Sequence, residues 1–203
     1  MNELERALVS GAAFMWVTFS LAACGGGFDE VPAMAPLCRD GRLVLIEDLG
    51  LERDVDYLGD YENGVLLGSK GTLCSGALQV ERCEEAFELA SMANGHARAL
   101  ITTEGDTARL WGAQSVISLF GEIDTVSEAV YVAASLGYAF DCTMQVTVIQ
   151  DGFRITTAGV TSGGCAGTPF PADRLEVTRQ GVVSDGDSGA TITTGMCAGR
   201  GGF

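Results

Sequence analysis

The chain has 203 residues, a formal net charge of −15 and 47% hydrophobic residues. This length predicts one domain, or two at most, and the apolar content is too high for a disordered chain. The negative charge repels phosphate groups and therefore argues against a nucleic-acid-binding protein. With 28 Gly and only 4 Pro, we expect many turns and not a low-complexity sequence.

The first segment in chain order is an apolar run of uncharged residues at positions 7–23. The run lies at the short end of the lengths that cross a bilayer, and its position and small-residue end favour a signal peptide. Cys24 and three glycines follow it directly. We therefore predict a signal peptide over residues 1–23, a flexible tether over residues 24–37 and a single domain over residues 38–203.

Leu21, Ala22, Ala23 and Cys24 resemble the lipobox of bacterial lipoproteins. The resemblance implies cleavage before Cys24 and acylation of this residue, with palmitate as one expected chain and the lipid bilayer as partner. In that family, Gly25 at the next position implies export to the outer membrane. The implied location is the cell envelope, facing the periplasm or the cell surface. The alternative is an ordinary signal peptide or a membrane anchor in which the cysteine stands by chance.

The six cysteines after Cys24 form an even set in a chain that we expect to be exported. Such a set predicts disulfides, and several connectivities are possible. No two cysteines lie closer than nine residues, which argues against a zinc cluster. Local spacing predicts one bridge between Cys74 and Cys83 and a second between Cys142 and Cys165. The two remaining cysteines, Cys38 and Cys197, would then form the third.

The first half of the domain contains two short apolar runs typical of strands, at residues 42–46 and 65–67. Residues 80–93 carry apolar and acidic side chains at helical spacing, which predicts an amphipathic helix. Residues 97–103 and 107–111 flank a short loop that contains Gly, a pattern typical of a hairpin.

The second half begins with residues 115–120, which fit either a short helix or a strand. Thr125 and Glu128 then form a capping-box pattern ahead of a mostly apolar helix. Alternation on both sides of an Asp-Gly turn predicts a hairpin over residues 143–149 and 153–160. Further strands are expected at residues 174–179, 182–183 and 190–194. Together these elements predict an α+β domain stapled by disulfides, a mostly antiparallel sheet of hairpins with two helices packed on one face.

The order CSGALQVERCEEAF, hairpin, LFGEIDTVSEAVYVAASLGY and Cys-flanked hairpin is similar to a group of small bacterial lipoproteins from organisms with Gly- and Ala-rich proteomes. This resemblance carries over no activity. The function expected is therefore a lipid-anchored envelope protein that acts as a non-enzymatic binding or structural module. No cofactor is expected, and the sequence does not identify a protein or glycan partner.

Residues 186–190 (GDSGA) resemble the nucleophile motif of chymotrypsin-like serine proteases. The resemblance implies an exported serine hydrolase with Ser188 as nucleophile, His96 as base, and Asp141 or Asp124 as the acid that orients the base. Only 15 residues follow Ser188, which are too few for the remainder of that fold. The favoured interpretation is a Gly- and Asp-rich turn between strands.

A second alternative is weak calcium binding by an envelope protein. Calcium prefers six to eight oxygen ligands, and carboxylates concentrate in one short stretch of the chain. The candidate ligands are Asp54, Asp56, Asp60 and Glu62. The stretch does not match an EF-hand, so a solvated acidic face is favoured over a metal site.

Trp111 is the only Trp after the predicted signal peptide, and it could line a sugar or peptide groove together with tyrosines. Scattered aromatic residues belong more often to a core, which is the favoured interpretation. The tyrosines concerned are Tyr57, Tyr61, Tyr131 and Tyr138. The sequence contains no P-loop and no HExxH motif.

Overall fold

The computed structural model describes residues 31–32, 38–93, 98–113, 115–162, 171–187, 189 and 191–192. In this part of the chain, twelve strands form three antiparallel sheets, and there are three α-helices. The predicted α+β class is confirmed, because strands and helices are both present and every strand pair is antiparallel.

Two of the sheets are built from the first half of the domain. A small hairpin pairs β2 (Cys38–Arg39) with β3 (Arg42–Leu43), after β1 (Val31–Pro32), and a 3-10 turn follows at Ile46–Asp48. The four-stranded sheet has the order β5-β4-β6-β7. Its strands are β4 (Tyr57–Glu62), β5 (Val65–Gly71), β6 (Arg98–Glu104) and β7 (Thr107–Trp111).

The six-stranded sheet collects the second half of the chain and one strand from the first. Its later strands are β8 (Gln145–Ile149), β9 (Gly152–Ser162), β10 (Pro171–Thr178), β11 (Val183–Asp185) and β12 (Thr191–Ile192), and the order is β1-β8-β9-β10-β11-β12. In β1, Val31 pairs with Val148 and Pro32 with Thr147. The segment predicted as a flexible tether therefore contains a strand at the sheet edge, where proline is tolerated.

Three helices complete the described fold: α1 (Val80–Ala93), α2 (Ile117–Phe120) and α3 (Val126–Ser135). Residues 115–120, which fitted either type of element, thus contain a helix. The predicted capping box is present, because the Glu128 backbone N–H donates to Thr125 Oγ1 and the Thr125 backbone N–H donates to Glu128 Oε2. This reciprocal pair satisfies backbone donors that a helix start otherwise leaves open.

The helices do not form the single layer that the sequence predicted. The Phe87 ring of α1 contacts the rings of Tyr57 and Tyr61, at centroid distances of 5.8 and 6.2 Å. Successive side chains of a strand point to opposite faces, and Asp60 of β4 accepts a hydrogen bond from Tyr131 of α3. Helices α1 and α3 therefore lie on opposite faces of the four-stranded sheet.

Helix α3 is the centre of the hydrophobic core. All of its residues from Ser127 to Ser135 are buried, and it contacts β6 of one sheet and β9 and β10 of the other. A helix enclosed on every side needs mostly small or apolar side chains all round, and the segment 126–135 has these at every position except Glu128, which forms the capping box. The same hydrophobic core also contains Leu58, Leu100, Trp111, Leu119, Phe120, Phe153, Ile155 and Leu175.

Strand β4 was not predicted, because it lies within a stretch rich in Asp and Glu, residues 47–62, which we call the acidic segment. Its acidic residue Asp60 is only 1% exposed, whereas a carboxylate in sequence normally indicates a solvated position. Gly59 also interrupts the strand pattern. A Cβ at Gly59 would lie 2.6 Å from the Tyr61 ring, so the two tyrosines on this face require glycine between them.

Two disulfides are present among the described residues. The predicted bridge between Cys74 and Cys83 is confirmed. The predicted pairings of Cys142 with Cys165 and of Cys38 with Cys197 are wrong, because Cys38 bonds to Cys142 across a sequence separation of 104. Local spacing could not indicate this bridge, since only the tertiary fold places the β2–β3 hairpin beside the segment before β8. The remaining partners in those predictions, Cys165 and Cys197, lie outside the described residues.

Candidate functional site

A cleft of about 970 Å³ opens between the β2–β3 hairpin, β5 and the segment that follows α3. Its volume is at the upper end of the usual range for small-molecule sites, roughly 300–1,000 Å³. Leu43, Val65, Leu67 and Phe140 contribute apolar surface to its walls. Its charged lining residues are Arg39, Arg42, Arg98, Asp40, Glu47, Glu62 and Asp141.

Arg98 is the first residue of β6, and its side chain is only 7% exposed. Its Nε donates to Asp60 Oδ1 at 3.0 Å and its Nη2 donates to Asp60 Oδ2 at 2.5 Å. This is a bidentate pair that fixes the plane of the guanidinium group as well as its position. The Tyr131 hydroxyl donates to the same Asp60 Oδ1 at 3.3 Å, and its ring lies 5.3 Å from the Arg98 Cζ.

The environment of this cluster keeps its members in defined protonation states. Burial lowers the pKa of Arg98, but the hydrogen bonds and the charge of Asp60 outweigh burial and raise that pKa above its ordinary value. Burial raises the pKa of Tyr131 well above its ordinary value, and the charge of Asp60 adds to this effect. Arg98 is therefore a cation, and Tyr131 is a protonated donor to Asp60.

Part of the Arg98 guanidinium group is left without a protein partner in the described structure. A guanidinium carries five N–H donors, and the side-on pair uses only the Nε edge. Nη1 makes no hydrogen bond to any described residue, and Arg98 lines the cleft. The end-on pair of Nη1 and Nη2 is thus available to an acceptor in the cleft.

Glu62 is the second carboxylate near Arg98. The two residues are directly opposite in the β4–β6 register, so their side chains leave the same face of the sheet. The charge of Glu62 contributes to the raised pKa of Arg98, and Glu62 is exposed and lines the cleft. Asp60, Arg98 and Glu62 together carry one net negative charge.

The mouth of the cleft is held by contacts between its two walls. Arg39 Nη2 donates to Glu47 Oε1 at 3.2 Å, and both side chains are exposed, so this ion pair is weak. The Cys38–Cys142 disulfide joins the chain neighbours of Arg39 and Asp141, which both line the cleft. This covalent bond therefore holds the β2–β3 hairpin against the segment after α3.

Asp141, one acid proposed for a hydrolase triad, uses its side chain in hydrogen bonds within a local turn. It accepts hydrogen bonds from Thr143 Oγ1 at 2.6 Å and from the Thr143 backbone N–H at 2.8 Å. These bonds lower the pKa of Asp141 and are typical of an Asx turn. His96 and Ser188 lie outside the described residues, so the hydrolase hypothesis stays a prediction. The other acid, Asp124, forms an ion pair with Arg179 at 2.7 Å.

The acidic residues proposed as calcium ligands do not converge. Asp60 pairs with Arg98 inside the fold, and Asp56 Oδ2 accepts a hydrogen bond from the Gly105 backbone N–H at 2.8 Å. Among the residues that the structure describes, no group of three or more His, Cys, Asp or Glu side chains is placed to hold a metal ion. The two remaining candidates, Asp54 and Glu62, are exposed.

The aromatic residues proposed for a sugar groove are likewise divided. Trp111 is 3% exposed, and its indole N–H donates to Thr102 Oγ1 at 2.8 Å. Tyr57 and Tyr61 lie on the opposite face of the sheet, against α1. Tyr138 is the one of the proposed set that lines the cleft. Most of these residues are core, as the favoured interpretation held.

The sequence reasoning missed Arg98 altogether and assigned Asp60 to the wrong chemistry. The available signal was a charged residue at the edge of an apolar run in each case, in RALI and in YLGDYE.

Within the described helices, none is long and apolar enough to cross a membrane. Comparisons with protein-family models, with curated proteins and with solved structures found no match.

Proposed function

We propose that the chain is a lipid-anchored protein of the bacterial cell envelope, whose domain acts as a non-enzymatic binding module. The observation that carries the anchor is the sequence Leu21-Ala22-Ala23-Cys24 at the end of an uncharged apolar run. Acylation of Cys24 with several chains would give stable attachment, because one chain alone binds membranes only marginally. Gly25 favours the outer membrane as the destination.

The position of β1 supports a short link between lipid and domain. Because β1 pairs from Val31, residues 24–30 are the segment left to span the distance from the acylated cysteine. Seven residues reach about 25 Å when fully extended. The domain would therefore lie close to the membrane surface.

The charge of the chain supports lipid attachment over electrostatic adsorption. Removal of Glu3, Glu5 and Arg6 with the signal peptide takes away one net negative charge, so the full-length value of −15 becomes −14. Anionic lipid surfaces attract basic segments and repel a chain of this charge. Acyl chains would have to supply the membrane affinity.

The cleft supports a binding role for the domain. It has the volume of a small-molecule site, and it contains a buried cation with donors that no described residue uses. A donor that lines a cleft on a rigidly held side chain can bind a ligand atom in place of water. The bidentate bond to Asp60 holds this donor in one orientation before any ligand arrives.

The anchor is tested by growth with radioactive palmitate, followed by separation of membrane and soluble fractions. The wild-type chain should carry the label and sediment with membranes, whereas Cys24→Ser should be unlabelled. The matched control is Ser10→Ala, which changes the apolar run but leaves the four-residue motif intact and should be labelled. An unlabelled wild type, or a labelled Cys24→Ser variant, would contradict the proposal.

A further inference from the structure

The donors of Arg98 that face the cleft have the geometry of a carboxylate site. With Nε and one edge of Nη2 committed to Asp60, the remaining N–H groups of Nη1 and Nη2 form an end-on fork, which matches the two oxygens of a carboxylate. The Tyr131 ring lies 5.3 Å from the Arg98 Cζ. Asp60 and Tyr131 thus fix the fork in place.

The charges around the fork decide what kind of carboxylate it accepts. Asp60 and Glu62 already surround Arg98, so a bare anion would add a second net negative charge to the cluster. A ligand that also carries an ammonium group adds no net charge and places its cation beside Glu62. The exposed rim carries charges of both signs, including the Arg39–Glu47 pair.

The charge of the whole protein points in the same direction. A net charge of −15 repels anions over the range of the Debye length, whereas a molecule with no net charge approaches without this penalty. A neutral oxygen in place of the carboxylate would form weaker hydrogen bonds, because charge-assisted bonds are about twice as strong.

We propose that the cleft binds a small zwitterion, with its carboxylate on the Arg98 fork and its ammonium group at Glu62. The apolar lining from Leu43, Val65 and Phe140 favours an amino acid with an apolar side chain. This inference rests on the proposed binding function and names the ligand class of that same cleft.

The first experiment compares three probes by isothermal titration calorimetry on the purified, acylated full chain in detergent. L-leucine carries both charges, acetate carries the carboxylate alone, and ethanolamine carries the ammonium group with a neutral oxygen. L-leucine should bind at least about tenfold more tightly than either of the others, because each of them lacks one charge-assisted interaction and the apolar side chain that the lining favours. Equal binding of acetate or ethanolamine, or no binding of L-leucine at tens of millimolar, would overturn the proposal.

The second experiment separates the two halves of the site. Glu62→Gln should weaken L-leucine binding about tenfold and leave acetate binding equal or tighter, because it removes the ammonium partner and one negative charge. Glu88→Gln, an exposed acid on α1 outside the cleft lining, is the matched control and should bind like the wild type. An unchanged affinity of Glu62→Gln for L-leucine would overturn the assignment.

Arg98→Lys tests the fork itself, because lysine keeps a cation beside Asp60 but has no planar pair of donors. The variant should bind neither L-leucine nor acetate while its circular dichroism stays that of the wild type. If Arg98→Lys does not fold, the Glu62→Gln pair of titrations still decides. Palmitate labelling of the same preparations keeps the two proposals apart: labelled protein that ignores L-leucine contradicts only the zwitterion site, and unlabelled protein that binds it contradicts only the anchor.

Discussion

Two pairs of arginine and carboxylate join neighbouring antiparallel strands in this protein, one in each large sheet. In the four-stranded sheet, Arg98 and Asp60 have side chains that are 7% and 2% exposed. In the six-stranded sheet, Arg154 Nε and Nη2 both donate to Glu176 Oε1, at 3.0 and 2.9 Å, and the side chains are 24% and 32% exposed. Both pairs join an arginine to a carboxylate, but only Arg98 binds both carboxylate oxygens, and the two pairs differ in burial.

The difference in burial gives the pairs different roles. A buried pair has lost its hydration, so each member depends on the other, and removing one leaves an uncompensated charge in the interior. A half-exposed pair is screened by water and salt and contributes little. The buried pair is also held in one orientation, and Arg98 lines the cleft where we propose a binding site, whereas the Arg154–Glu176 pair lies outside the cleft lining.

The largest expected effect is on the buried pair. Arg98→Met should lower the free energy of unfolding by about 3–5 kcal/mol, because Asp60 is left as an unpaired charge in the core. Urea denaturation followed by circular dichroism measures this change. The double variant Arg98→Met with Asp60→Leu should recover much of the loss, since it removes both charges. A loss below about 1 kcal/mol in the single variant would mean that the interior is wetter than the structure indicates.

The second effect concerns a buried carboxylate that has no arginine partner among the described residues. Glu128 is 2% exposed, and it accepts hydrogen bonds from the backbone N–H groups of Gly50, Asp124 and Thr125 at 2.8, 2.8 and 3.0 Å. Glu128→Ala should cost about 1–3 kcal/mol, because it leaves these donors unsatisfied and removes the capping box of α3. The thermal midpoint of Glu88→Ala, at an exposed position of α1, provides the control. Equal midpoints for the two variants would contradict the role given to Glu128.

The smallest effect is expected in the six-stranded sheet. Glu176→Gln should change the free energy of unfolding by less than about 1 kcal/mol, because its pair with Arg154 is partly hydrated. Repeating the urea titration at 1 M salt should shrink the difference further, since salt screens exposed charges. A cost comparable to that of Arg98→Met would remove the distinction between the two pairs.

The features that the sequence predicted correctly depend on neighbours in the chain. The predicted helix at 80–93 has the observed bounds of α1, and the capping box of Thr125 and Glu128 is present. The β8–β9 hairpin and the Cys74–Cys83 bridge were also predicted. Each of these is specified within one short continuous stretch of the chain, by periodicity, by a cap, by turn residues or by short spacing.

The features that the sequence did not predict depend on distant partners. Asp60 appeared to be part of a solvated acidic face, and its pairing with Arg98 involves a residue 38 positions away. The four acids proposed as calcium ligands therefore lie in different places. Asp60 is in the core, Asp56 accepts a hydrogen bond from the Gly105 backbone N–H, and Asp54 and Glu62 are exposed. Cys38 and Cys142 are 104 positions apart, so spacing favoured closer partners that the fold does not use.

The amino-acid sequence by itself determined most of the local elements, though not β1 and β4, as well as the α+β class and the expectation of an exported, lipid-anchored chain. Propensity, periodicity and short motifs act over a few residues. Only the tertiary structure decided that α1 and α3 cover opposite faces of one sheet and that one acid of the acidic segment is buried. The tertiary structure also placed Arg98 in the lining of a cleft, where some of its N–H donors make no hydrogen bond to a described residue. The physical reason is that the cost of a buried charge depends on the groups around it, and those groups come from distant parts of the chain.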